Sequence, residues 1–267
     1  MVPEGDTIHY AANRIRPVLA GHVPDELATP HPRFAGSRWP ERLADRAVTS
    51  VDAHGKHLFL RFEGGLTIHS HLRMSGSWRV FERADVVPPT HRSPRSAWLR
   101  IRRGESDVLQ FNGPLLELMT DSRTRLDRRI AGLGPDILAP ELDTAKVLRR
   151  LREDDPTRPI GDALLDQRTI AGIGTLWRAE GCFAAAIDPW RPSGEVSDEE
   201  VLAILAETRP RMRASAVDGK QDRFKVIFGK AGRPCPRCAA EGVMSLIRVR
   251  GQGDDNRRTF WCETCQR

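Results

Sequence analysis

The sequence predicts an α+β chain: an N-terminal antiparallel β-sandwich with a leading helix, an all-helical second domain, and a C-terminal segment organised by four cysteines. Three observations predict it. Between about residues 48 and 111, short apolar alternations are broken by Gly and Pro, with no long helical repeat between them. After Gly132-Leu133-Gly134-Pro135-Asp136 the apolar spacing becomes helical. Finally, four of the five cysteines lie between positions 235 and 265.

The elements follow in order. Ile8, Ala11, Ala12, Ile15 and Leu19 recur at helical spacing, so a helix covers 6–19, with Asp6 as its cap. Residues 48–53 alternate. Residues 58–62 and 66–71 flank a Glu63-Gly64-Gly65 turn and read as a hairpin. Segments 77–81, 97–101 and 108–111 are further strands, and the Pro-rich stretch 88–94 is a loop. Strands without long intervening helices favour an antiparallel sandwich. Beyond the break, helices are expected over 144–152, 159–166, 174–182 and 197–215. Ser197 and Glu200 form a capping box for the last. The expected domains are therefore 1–131, 132–225 and 226–267.

The chain has 267 residues, 39% hydrophobic and 29% charged, with a net charge of +6. It holds no eighteen-residue apolar run, which argues against a membrane span. Its first residues lack a signal-peptide layout, so it is read as cytoplasmic with reduced thiols. From Thr208 onward there are 14 Lys/Arg against 6 Asp/Glu, and the remainder is nearly neutral. A basic tail fits a polyanion such as nucleic acid, although a solubilising surface has the same composition. Cys182 lies in an apolar stretch and reads as a small core residue.

Cys235-Pro236-Arg237-Cys238 and Cys262-Glu263-Thr264-Cys265 are two Cys-x-x-Cys pairs with 23 residues between them. Two-residue spacing lets both thiolates of a pair reach one metal at about 2.3 Å, and two pairs complete a tetrahedron. One structural Zn2+ is expected, supplying folding energy to a segment too short for its own core. Two disulfides are the alternative, but nothing else in the chain looks secreted. In 164–180, Gly172 and Gly174 precede a helix. Their bare backbone and the helix's unpaired N–H groups could cradle a phosphate, or could simply make a tight corner.

Five motifs then occur in one order: Pro3-Glu4-Gly5-Asp6-Thr7; Gly55-Lys56; His71-Leu72-Arg73-Met74-Ser75-Gly76-Ser77; the Asp166-Gln167 to Gly174 corner; and Phe228-Gly229-Lys230 leading to Cys235. Together they resemble the formamidopyrimidine-DNA glycosylase/endonuclease VIII family of base-excision repair, most closely its actinobacterial endonuclease VIII-like branch. The resemblance spans Pro3 to Cys265. It implies a β-sandwich, a helix–two-turn–helix domain and a C-terminal four-cysteine zinc finger β-hairpin, working as a monomer on damaged DNA. It also implies a bifunctional DNA glycosylase/AP lyase for oxidised bases, with pyrimidines expected.

In that family the nucleophile is the secondary amine of an N-terminal proline, which attacks the sugar C1′, forms an iminium and permits β,δ-elimination. Pro3 matches it, and Glu4 matches the catalytic carboxylate, a general acid when protonated. Val2, however, stands between Met1 and Pro3. While Val2 remains, the Pro3 nitrogen is an amide whose lone pair is delocalised, and it cannot attack. Either the natural start is a GTG codon, which appears as Val2 only because Met1 has been placed ahead of it, so that the natural protein begins at Pro3; or Val2 is trimmed; or the chain as written is not a lyase. The first account is preferred.

The resemblance assigns Lys56 to the phosphate beside the lesion, and Met74 with Arg73 to the gap left by a flipped base. Some relatives add an Arg and Phe after Asn-Asp-Pro. Here the segment is Asn112-Gly113-Pro114-Leu115-Leu116, which removes the second wedge and leaves Asn112 a backbone contact or a turn residue. Gly172 and Gly174 form the phosphate corner. Thr175 stands where many relatives have Asn, able to cap the helix or bind phosphate. Lys230, Arg257 and Arg258 are the remaining expected phosphate contacts. Two other readings are a lyase-inactive damage-binding protein of the same fold and a zinc-ribbon RNA-binding module.

Overall fold

The computed structural model describes residues 3–82 and 96–267. Val2 and the loop 88–94 lie outside the described residues. The chain divides into two compact units: one is Thr7–Ala131, and the other joins Gly132–Arg267 to the N-terminal residues through Asp6.

Thr7–Ala131 is a β-sandwich. Helix α1 (Gly5–Leu19) leads in, followed by β1 (Glu26–Ala28), α2 (Trp39–Leu43), β2 (Val48–His54), β3 (His57–Phe62), β4 (Leu66–His71), β5 (Ser77–Glu82), β6 (Leu99–Arg103), β7 (Ser106–Phe111) and β8 (Leu115–Thr120). Helices α3 (Asp121–Leu126) and α4 (Arg128–Ala131) close the unit. Two antiparallel four-stranded sheets have the orders β2-β3-β4-β8 and β1-β6-β7-β5. Leu58, Leu60, Phe62, Ile68, Leu116 and Leu118 of the first sheet meet Trp78, Leu99, Ile101 and Val108 of the second. Ile8, Ile15 and Leu19 of α1 join that core, as their spacing requires. Burying each such side chain stabilises by about 1.5–3 kcal/mol, so the alternation fixes which face of each strand turns inward.

Strands β1 and β8 were not anticipated. The first has only three residues, and Leu-Leu-Glu-Leu-Met-Thr in β8 does not alternate cleanly. Strand β3 is buried on both faces: Leu58 and Leu60 point to the core, while His57 and Phe59 occupy the other side with β4's His69 and His71.

The second unit is helical up to its four-cysteine segment. It contains α5 (Thr144–Arg152), α6 (Ile160–Ala163), α7 (Thr175–Ala184) and α8 (Asp198–Asp218). The Ser197–Glu200 capping box is formed, and Gly219 ends α8 in the left-handed conformation (φ 71°). The helix expected over 159–166 is a single turn, because two successive turns replace it before α7. This is the helix–two-turn–helix arrangement. The last segment holds α9 (Pro236–Ala240) and the antiparallel hairpin β9 (Arg248–Gln252) with β10 (Arg257–Trp261). Ile227, Cys235, Cys238, Ile247, Phe260 and Cys262 share a core with Ala179 and Phe183 of α7, so residues 226–267 pack as part of the same unit. Among the described residues, no helix is long and apolar enough to cross a membrane.

Candidate active site

The first polar cluster surrounds the N-terminus of α7. Four residues of every helix start lack intrahelical acceptors, and here an acid side chain takes their N–H groups. Glu4 Oε2 accepts from Gly174 N (3.0 Å) and Trp177 N (3.3 Å), and Oε1 accepts from Leu176 N (2.9 Å). Glu4 is 1% exposed. Three N–H donors and the positive end of α7 favour the ionised carboxylate. Gly174 leaves room for it: a Cβ there would stand 2.3 Å from the Glu4 carboxyl carbon. Gly5 N donates to Gly172 O (2.9 Å), and a Cβ on Gly5 would stand 2.8 Å from Gly172 Cα. Pro3 is thus seated, half-buried, one residue from a fixed carboxylate.

Three sequence expectations are corrected at this corner. Two of the donors expected to hold a phosphate turn to the chain itself: Gly174 N donates to Glu4, and Gly172 N to Gln167 Oε1 (3.0 Å). Thr175 does not cap α7; the cap position is Gly174 and the side chain that serves it is Glu4. Nor is Asp6 the cap of α1. The helix starts at Gly5, and the Asp6 carboxylate turns inward to Trp177 Nε1 (2.9 Å), Ser215 Oγ (2.5 Å) and Gln221 Nε2 (3.1 Å). The physical reason is common to all three: a buried acid takes the nearest convergent donors, and these come from segments remote in sequence.

The second cluster lies within Thr7–Ala131. Gly55 (φ 55°) and Lys56 form the two-residue turn between β2 and β3, leaving Lys56 half-buried at the hairpin tip. His57, His69 and His71 share one sheet face. His57 Nδ1 and His69 Nε2 are 2.8 Å apart, and the His57 and His71 rings meet edge-on at 4.8 Å. Burial, then the neighbouring histidines, lowers His57 to about 2. Burial lowers His69 to about 4, against the opposing pull of Glu117. Burial, then Arg73 and Lys56, lowers His71 to about 4. All three are neutral at pH 7. Arg73 is left-handed (φ 51°) and its N–H donates to His71 Nδ1 (3.1 Å). Met74 is 77% exposed at the tip of this loop. Ser75 Oγ donates to Asn112 O (3.4 Å), which joins the Met74 loop to the Asn112 turn. Lys56, Arg73, Met74 and Asn112 therefore gather around one end of this unit, with His71 as the member that sequence reasoning missed.

The third cluster is the cysteine knot. Its four sulfurs lie within 4.8 Å of one another, with Cys235–Cys265 at 3.7 Å and Cys238–Cys262 at 3.6 Å. A tetrahedron of metal–thiolate bonds of about 2.3 Å has edges of about 3.8 Å, so the donor set fits a metal ion. Two features fix the hairpin against α7. Arg178, fully buried, donates to Gln252 Oε1 (3.1 Å) and Arg258 O (2.9 Å). Glu180 Oε1 accepts from Ile227 N (2.9 Å) and Phe228 N (2.8 Å), which holds the turn that presents Lys230. Lys230, Arg257 and Arg258 are exposed, and Arg257 pairs with Asp255 at 2.9 Å. Cys182 is a core residue, its thiol pushed up to about 12 by burial.

Gln167 and Trp177 belong to the first cluster and were given no role from the sequence, where Asp6 was read only as a helix cap. Asp6 and Gln167 stood within quoted motifs, but nothing local signals their distant partners.

Comparison with known proteins gives a consistent set of likenesses. Residues 2–115 match the formamidopyrimidine-DNA glycosylase N-terminal domain, and residues 133–225 match the formamidopyrimidine-DNA glycosylase H2TH domain. The probable endonuclease 8 2 of Streptomyces coelicolor is 40% identical, the alignment covering 99% of this chain and 94% of that one. The DNA-(apurinic or apyrimidinic site) lyase Nei2 of Mycolicibacterium smegmatis is 32% identical over 99% of both. Among solved structures, the Lactococcus lactis formamidopyrimidine-DNA glycosylase bound to DNA containing an AP site superposes with a TM-score of 0.79 at 19% identity, covering 99% of each chain.

Proposed function

Because the chain belongs to the formamidopyrimidine-DNA glycosylase/endonuclease VIII family, in its actinobacterial endonuclease VIII-like branch, we propose that it is a DNA glycosylase/AP lyase of base-excision repair and that Pro3 is its nucleophile. The observation that carries the assignment of Pro3 is its attachment to Glu4, whose carboxylate is locked on the N-terminus of α7. A zinc-ribbon RNA-binding module accounts for neither matched domain.

The chemistry follows from a secondary amine beside an anion. With Pro3 as first residue, its ammonium passes a proton to Glu4, and the free nitrogen attacks C1′ of the lesion nucleotide. The base leaves with the electrons of its bond to C1′ and takes the proton shed by the newly bonded nitrogen; the nitrogen lone pair then forms the C=N bond as the C1′–O4′ bond breaks, with O4′ taking the proton from Glu4. The resulting cationic iminium withdraws electrons from C2′. Loss of the C2′ proton expels the 3′ phosphate, and a further elimination expels the 5′ phosphate. Glu4 thus relays one proton from the Pro3 nitrogen to O4′, held in place by its three N–H donors.

The other roles are divided among the clusters. Lys56 and Arg73 neutralise phosphates flanking the lesion, and Met74 fills the gap left by the flipped base. Asn112 orients backbone at the same end. Thr175, no longer needed as a cap, offers its hydroxyl to a phosphate. Gly172 and Gly174 serve by letting Glu4 and Gly5 approach. Lys230, Arg257 and Arg258 bind phosphates from the hairpin. The cysteine knot holds one structural Zn2+; four thiolates leave no open position to activate water. The substrate class is oxidised pyrimidines and abasic sites, acted on by a monomer in the cytoplasm.

Borohydride trapping on abasic duplex DNA tests the reading. A chain beginning at Pro3 gives a covalent adduct and nicked strands. A chain that retains Val2, verified by mass, gives neither, at least about a thousandfold below the first. Adduct formation with Val2 in place would remove Pro3 as the nucleophile.

A further inference from the structure

We infer that Asp6 is a positioning residue for the Pro3 nitrogen, an inference that deepens the lyase reading and rests on it. Asp6 is 0% exposed. Trp177 Nε1 (2.9 Å) and Gln221 Nε2 (3.1 Å) donate to Oδ1, and Ser215 Oγ (2.5 Å) donates to Oδ2. These donors come from α7, from the turn Gln221–Phe224 and from α8. One side chain thus ties the amino-terminal residues, through Asp6, to three elements of the unit they belong to.

The ties converge on the reacting end of the chain. Trp177 holds Glu4 through its backbone N–H (3.3 Å) and Asp6 through its indole (2.9 Å). Gly5, between them, donates to Gly172 O (2.9 Å) with no room for a side chain. Glu4 alone would anchor a carboxylate but leave the backbone free to turn about three side-chain torsions. Asp6 removes that freedom. With Glu4, Gly5 and Asp6 all held, the direction of the Pro3 ring follows from the chain geometry. An ionised acceptor suits the task, since hydrogen bonds to a carboxylate are about twice as strong as neutral ones. Its place in the first turn of α1 also favours negative charge.

The test uses the full chain beginning at Pro3, with Asp6→Ala, Asp6→Asn, Trp177→Phe and the double variant Asp6→Ala/Trp177→Phe. Single-turnover nicking of an abasic duplex gives the chemical rate. Affinity for a duplex with an uncleavable tetrahydrofuran site gives binding. Asp6→Ala is expected to lower the rate about a hundredfold, the scale of a small misplacement of reacting groups, with affinity within about twofold. Asp6→Asn keeps an acceptor for the indole and recovers most of the loss. Trp177→Phe loses less, and the double variant is no slower than Asp6→Ala, because both remove one interaction. Ser197→Ala, which removes the distant cap of α8, lowers Tm and leaves the rate unchanged. Hydrogen exchange at the Gly5 amide supplies a readout free of catalysis, and Asp6→Ala should expose it. Full rate with full Gly5 protection in Asp6→Ala overturns the inference, as does a rate loss that Ser197→Ala reproduces at equal Tm. If the unaltered chain does not nick, the lyase reading fails, and Gly5 protection still decides whether Asp6 holds the terminus.

Discussion

The two units bury ionisable side chains by opposite means. Around the amino end, Glu4 and Asp6 are buried with their acceptors met by N–H and O–H donors. On the sheet face of the sandwich, His57 and His69 are buried without charge. Other imidazoles and Arg129 disfavour their charge, Glu117 pulls His69 the other way, and burial prevails and drives the proton off. An acid can stay inside a protein when donors converge on it; an imidazole can stay inside by becoming neutral. The first solution needs contacts distant in sequence, since Glu4 is bonded to Gly174, 170 residues away. The second needs only strand alternation, which places His57, His69 and His71 on one face.

The strongest way to break the Gly132–Arg267 side of this comparison is to remove a thiolate. Cys238→Ser, or chelation of the wild type, should release one zinc per chain and unravel the hairpin that presents Arg257 and Arg258. Losing two charge-assisted phosphate contacts at roughly 1.5–3 kcal/mol each predicts at least about a hundredfold weaker DNA binding. Metal content and binding at fixed salt check it. Retained affinity in a zinc-free chain would contradict the role given to the hairpin.

Gly174→Ala attacks the anion cradle itself. Its backbone (φ −126°) suits alanine, but the new methyl would meet the Glu4 carboxyl carbon at 2.3 Å. The fold should survive while Glu4 is displaced, lowering single-turnover nicking by about a hundredfold with little change in affinity. Stopped-flow nicking and a thermal melt separate the two effects. An unchanged rate would mean that Glu4 works from some other position.

How much of this was legible in the sequence tracks the same division. The sandwich strands, α1, the capping box and the cysteine spacing are local patterns, and each has its counterpart in the structure. Strand β8 was missed because apolar Leu115 and Met119 stand on the face opposite Leu116 and Leu118, which blurs its alternation. The corner at Gly172–Gly174 showed itself as an anion nest, but its occupant did not. Periodicity cannot say that Glu4 fills that nest or that Asp6 reaches Ser215, 209 residues on. The motif order supplied the family, and only the folded chain supplied these partners.

The histidine face can be sharpened by pH. Folded values of about 2 for His57 and about 4 for His69 lie below the unfolded 6.5, so the unfolded chain binds more protons in that range. Stability is therefore fully present above about 6.5, falls as pH drops below it, and keeps falling through about 4. Urea midpoints at pH 7, 6, 5 and 4 should decline accordingly, and His57→Phe should flatten the profile. A midpoint constant from pH 7 to 5 would show that these imidazoles are not buried neutral.

The smallest effect belongs to Met74. At 77% exposure it supports no core, so Met74→Ala should leave Tm within about 1 °C, as expected for surface substitutions. Its effect should emerge only on stacked DNA. Unstacking a base step costs a few kcal/mol, and an apolar wedge offsets part of that cost. Incision of a lesion in duplex should slow by roughly 3- to 10-fold, a change of about 1 kcal/mol in the barrier. Incision of the same lesion in single strands, where no stack has to be opened, should be unchanged. Equal slowing on both substrates would assign Met74 to general backbone contact, and the loop shared with Arg73 and Asn112 would then act as a clamp rather than a wedge.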